Sequence, residues 1–122
     1  MAAFEDFPVI SRYTRQQAIE DGVLVDVTAQ ARETGILLPT VLTDHLQQVL
    51  EDIPTKSCGQ DYRGRLHDVL WMTFLKLKSF GQKKLTEIDF PAEVQVIIYG
   101  QMQRLWMVVD GDGMTIMYPE DY

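Results

Sequence analysis

The period of the apolar residues changes from helical to alternating after Gly81, and that change limits the folds open to this chain. From Asp61 the sequence reads DYRGRLHDVLWMTFLKLKSF, where Leu66, Val69, Leu70, Thr73, Phe74 and Leu77 form one helical stripe. Trp71, Met72 and Leu75 widen that stripe until little polar face remains, so a central helix near 61–79 should pack on more than one side. Beyond Gly81 the period becomes two. The segments LTEIDF, VQVIIYGQ, RLWMVV and MTIMY are short, rich in β-branched and aromatic residues, and separated by Pro91, Gly100 and an Asp-Gly repeat. Four such strands in succession imply an antiparallel meander. A length of 122 residues with 46% hydrophobic content suits one compact core and not two. The expected architecture is therefore a single α+β domain over 1–122: an antiparallel sheet of about four strands on a central helix, with shorter N-terminal helices.

The N-terminal half carries local punctuation. Thr14, with Gln17 three positions on, makes a capping box ahead of a short helix at about 15–21 that Gly22 stops. VLVDV reads as a buried strand near 23–27. Thr28 is placed to cap a second short helix, AQARETG, ended by Gly35. The stretch ILLPTVLTDHLQQVLED reads as helical from Pro39, since Val41, Leu42, Leu46, Val49 and Leu50 recur at helix spacing and proline is tolerated in a first turn.

Around 110–113 the sequence Asp-Gly-Asp-Gly invites both a hairpin and a metal loop. With a two-residue loop centred on Gly111–Asp112, Asp110–Gly111 or Asp112–Gly113, every register places Leu105, Met107, Val109, Ile116 and Tyr118 on one face. An EF-hand type loop needs a longer oxygen series and a closing acid, whereas here the chain turns straight back into Met114, Thr115 and Ile116. The hairpin reading accounts for every residue without a metal, and the primed turns explain the recurrence of Asp and Gly through their positive φ angles. The other face carries Trp106, Val108, Thr115 and Met117, with Ile97 and Tyr99 at alternate positions of the preceding strand. A sheet apolar on both sides needs cover on both, from helices or from another molecule.

Charge restricts the partners. Residues 1–55 hold nine acids and three bases and residues 85–122 hold seven acids and one base, while residues 56–84 hold two acids and seven bases. The net charge of −7 argues against duplex nucleic acid as the primary ligand, because phosphate affinity comes from clustered Lys and Arg. A basic protein surface is the better complement. No catalytic set is evident: His45 follows Asp44 and His67 precedes Asp68, and neighbours on a helix point about 100° apart. Cys58, His45 and His67 show no zinc-ligand spacing, and phosphate loops, dinucleotide fingerprints and serine elbows are lacking, so no catalytic residue, metal or cofactor is assigned. The lone Cys58 suits a reducing cytoplasm; no run of eighteen apolar residues suggests a membrane span, and Glu5 and Asp6 stand where a signal peptide needs bases.

The segments SRYTRQQAIEDGVLVDVTAQARETG, RGRLHDVLWM and MTIMYPED resemble a family of small uncharacterised proteins carried by phages, plasmids and other bacterial mobile elements. The resemblance spans most of the chain and is most specific over residues 12–28. It implies a mobile-element origin and the cytoplasm of a bacterial host, and it supplies no catalytic residue. Small acidic proteins of such elements are similar in character to inhibitors of host defence, anti-CRISPR-like or antirestriction-like, which occlude a nucleic-acid-handling complex. The expected function is stoichiometric binding to a host protein or nucleoprotein complex with a basic surface. Glu87, Asp89, Glu93, Asp110 and Asp112 would frame an apolar patch anchored by Trp106 and Tyr99. Self-association is compatible with this reading. A small enzyme acting on a nucleotide or modifying a host protein is the competing expectation, and a structural protein of the element is a third. An enzyme should show a deep pocket converging Arg12, Arg15 or His67 with carboxylates, and a binder a flat acidic and apolar patch.

Overall fold

A computed structural model describes residues 14–52, 61–98 and 100–122. Thr14 forms the capping box with Gln17 and opens helix α1, Arg15–Glu20. Strand β1 is Leu24–Asp26, followed by helix α2, Thr28–Thr34, which Gly35 ends at φ 115°. Thr28 does not cap this helix from outside, as expected, but is its first residue. The Thr28 hydroxyl and N–H instead donate to Asp26 at 2.6 and 2.9 Å.

The next segment corrects the sequence reading. Thr40–Thr43 is strand β2, and helix α3 is confined to Asp44–Glu51. The apolar spacing from Val41 to Leu50 looked helical because a strand and a helix meet at Thr43, whose hydroxyl accepts the Leu46 N–H and so acts as the N-cap. Val41 and Leu42 are both buried although adjacent, which a central strand covered on both faces allows. Helix α4, Tyr62–Ser79, matches the expected central helix and is capped by the Asp61 carboxylate on the Gly64 N–H at 2.8 Å.

A second correction follows α4. The segment LTEIDF is no strand: Leu85–Glu87 is a single 3-10 turn in which the Glu87 carboxylate accepts the Lys84 N–H. Alternation begins only after Pro91, with β3 (Ala92–Ile98), β4 (Gln101–Asp110) and β5 (Gly113–Met117), before a 3-10 turn at Pro119–Asp121. The sheet thus has five strands in the order β1-β2-β5-β4-β3 and is mixed, because β2 pairs with β5 in parallel. The expected four-strand antiparallel meander survives as the three strands β3, β4 and β5.

One sheet face meets the helices. Val94, Val96, Leu105, Met107, Met114, Ile116 and Leu42 pack there against Leu46, Leu50, Leu66, Val69 and Leu70. Two glycines are required by close approach. A side chain on Gly35 would meet the Phe74 ring of α4 at 2.9 Å, and one on Gly113 would run into the Pro39 carbonyl that accepts the Met114 N–H. Among the described residues no helix is long and apolar enough to cross a membrane.

Candidate protein-binding surface

The sheet face turned away from α4 divides into two halves. Over β1, β2 and β5 it is roofed by α1, whose Ala18 is buried. Arg15 donates from α1 to the Met114 carbonyl at 2.8 Å and to the Thr115 hydroxyl at 3.3 Å. This cover leaves Val41 only 2% exposed. Over β3 and β4 no described helix covers the face, and at its edge Ile97 and Met102 line a cleft of about 280 Å³ with Asp68, Trp71 and Met72 of α4. Cross-strand pairs there run Ile97 with Met102, Gln95 with Arg104 and Glu93 with Trp106, and Trp106 pairs on its other side with Met117. Ile97 and Met102 are 59% and 57% exposed, which marks two large apolar side chains side by side in water.

Of the residues expected to form the surface, the fold pairs Glu93 with Trp106 across β3 and β4, while Asp110 lies at the hairpin end and lines a cleft beside α1. Trp106 is half-buried, and the Tyr122 ring meets it edge-on at 5.5 Å between centroids. Glu93 accepts from the Gln95 amide at 2.9 Å and stays exposed. Asp110 lies on the same strand parity as Trp106, at the hairpin end. Asp112 belongs to the turn: its N–H donates to the Asp110 carboxylate at 2.8 Å, and Asp110 pairs with Gly113 around a Gly111–Asp112 loop. Positive φ falls at Gly113 (134°) and not at Gly111, so the turn rests on this side-chain bond and on Gly113 instead of on the primed geometry expected. Glu87 and Asp89 lie in the α4–β3 connection and not on the sheet. Tyr99 lies outside the described residues, as do Arg12 and Cys58.

Sequence reasoning missed Met102 because it began the strand at Arg104, and it did not assign the cationic Arg104 to this face. The signal was there in Gly100, a turn residue that here has φ 75° and directly precedes Gln101, whose partner is Ile98.

It also missed a His–Asp contact between residues distant in sequence. His45 Nδ1 lies 2.9 Å from Asp121 Oδ1, Asp121 Oδ2 accepts the Thr43 hydroxyl at 2.9 Å and the Tyr118 N–H at 3.2 Å, and the His45 and Tyr118 rings are 4.6 Å apart. Because an ionised carboxylate only accepts, Nδ1 carries the proton. Burial alone would push the Asp121 carboxyl up, but the bonds from His45, Thr43 and Tyr118 outweigh it and hold the group below the usual carboxylate range. His67, by contrast, stands 4.0 Å from Asp68 with both side chains 63% exposed, and its ring stacks on Trp71.

Two larger clefts offer polar linings. One, about 760 Å³, lies between α1 and the hairpin and is lined by Arg15, Asp26, Asp110 and Asp112 among others. Its polar groups already have partners: Arg15 holds β5, Asp26 is held by Thr28 and Asp110 accepts the turn amide. The hydroxyl and amide of Thr28 keep the Asp26 carboxyl below its ordinary range. The other, about 710 Å³, lies between α2 and α4 with Glu33, Asp61, Tyr62 and His67 on its walls. Neither contains the His45–Asp121 pair. Among the described residues no three His, Cys, Asp or Glu side chains converge to hold a metal ion. Comparison of the chain with models of protein families, with curated proteins and with solved structures finds no match in any of the three.

Proposed function

We propose that this protein works stoichiometrically, by docking the open outer face of β3 and β4 on a protein partner. The observation that carries the reading is the exposed Ile97–Met102 pair beside the Glu93–Trp106 pair on one sheet face that no described helix covers. Apolar side chains in the middle would hold the partner while Glu93 and Asp110 steer it, and the net charge of −7 favours a basic surface. Arg104 gives that face one cation, which would meet an acidic group of the partner. Combined with the resemblance to mobile-element proteins, this supports an inhibitor of a bacterial host defence complex that occludes a groove where nucleic acid would lie. The experiment is a titration of such a complex with this protein. Inhibition complete near one equivalent, weakening as salt shortens the Debye length below about 10 Å, supports occlusion. Progressive inactivation by substoichiometric protein sinks it.

A small enzyme is the second reading, and the cleft containing Arg15, Asp26, Asp110 and Asp112 is the observation in its favour. It ranks behind because Arg15, Asp26 and Asp110 are engaged in holding the fold. An Arg15→Lys variant separates the two: it should lower thermal stability and leave binding intact, whereas an enzyme using that cleft would lose turnover.

A further inference from the structure

Strand β3 forms one edge of the sheet, paired with β4 on one side and with no described strand on the other. Its seven residues contain no proline, glycine or lysine, the devices that usually keep an edge from pairing. Helix α4 runs beside this edge in the opposite direction. Asp68 and Met72 line a cleft of about 280 Å³ with Gln95 and Ile97, and Met72 and Lys76 line a second of about 420 Å³ with Glu93 and Gln95. Met72 and Gln95 are common to both and mark the middle of the groove. Along it the helix leaves Trp71, Met72 and Leu75 exposed at 43%, 36% and 41%.

We infer that this edge is the interface with a second copy of the chain, the two related by a twofold axis through Gln95 and Met72. The charges and register are self-complementary about that axis. Antiparallel pairing of the two β3 strands sets Val94 against the second copy's Val96 and Glu93 against the second copy's Ile97, so apolar residues on the helix side stay together. The same axis carries Asp68 to the second copy's Lys76, since the two lie one helical turn either side of Met72, and symmetry makes the pair twice. Opposite charges thus flank the exposed Trp71, Met72 and Leu75 stripe. Of the basic residues of α4, Lys76 lines this groove. Pairing extends the sheet across both copies and places their outer faces side by side.

Sedimentation equilibrium tests this on the full chain. The expected mass is twice 14.0 kDa, and Asp68→Lys should raise the dimer dissociation constant by about tenfold or more, as should Lys76→Asp from the other side of the pair. The double variant D68K/K76D restores pairing and should recover the native constant, a rescue that a folding defect would not give. Met72→Lys should leave helix content unchanged and produce monomer. A chain that remains at 14.0 kDa at about 100 µM overturns the inference and leaves the edge to a strand of another protein. A dimer indifferent to all three single changes also overturns it, by placing the contact elsewhere.

Discussion

Asp121 ties the end of the chain to the start of α3 through three donors, the Thr43 hydroxyl, the His45 ring and the Tyr118 N–H. Its carboxyl binds its proton less tightly in the folded chain than in the unfolded one. Stability from it is therefore fully present above the unfolded pKa, near 4, and is lost as pH falls through the lower folded value. Asp121→Asn should cost about 1–2 kcal/mol at neutral pH and flatten the acid side of the stability profile, followed by urea unfolding between about pH 2 and pH 7. An unchanged acid limb would mean that these bonds contribute nothing. Gly35 is a second residue whose role is steric. At φ 115° and 2.9 Å from the Phe74 ring, Gly35→Ala combines backbone strain with overpacking, and should lower stability by about 2–4 kcal/mol in the same measurement.

The elements differ in how plainly they are written. The capping box at Thr14, the stripe of α4, and the alternation in β3, β4 and β5 are local signals, and each is present, although β4 starts at Gln101 and not at Arg104. β2 was hidden because it has only four residues, the last of them the Thr43 cap, and its apolar pair merges with the α3 stripe into one helical spacing. Its burial depends on α2, β1 and β5 beside it, which no local window contains together. LTEIDF failed for the reverse reason: its alternation is genuine, but the Lys84–Glu87 bond closes a turn and Leu85 stays 39% exposed. The site was legible in part. Parity alone put Trp106 opposite the core, while the extent of β4 and the α1 roof decided which half of that face stays open. If β2 is the central strand described, Leu42→Ala should cost about 2–5 kcal/mol and Val41→Ala on the order of half that, since both faces are packed. A neutral Val41→Ala in chemical denaturation would contradict the roofing of that face by α1.

At the scale of the whole molecule, a charge of −7 and a half-open sheet face point the same way. The helices bury one side of the sheet, α1 covers the β1–β2–β5 half of the other, and the β3–β4 half keeps Ile97 and Met102 in water beside Glu93 and Trp106. Leaving such side chains exposed has a hydrophobic cost that a partner would recover, on the order of 1.5–3 kcal/mol for each one fully buried. In the cleft beside α1, by contrast, Arg15, Asp26 and Asp110 are engaged with the fold. The most direct measurement compares capture from a bacterial host lysate by the native chain, by the double variant I97E/M102E, and by Gln16→Ala on α1 as a control, after circular dichroism has shown all three folded. One basic protein or nucleoprotein complex should be retained by the native chain and by Gln16→Ala and be lost from I97E/M102E. Retention of the same complex by all three would contradict docking through this face.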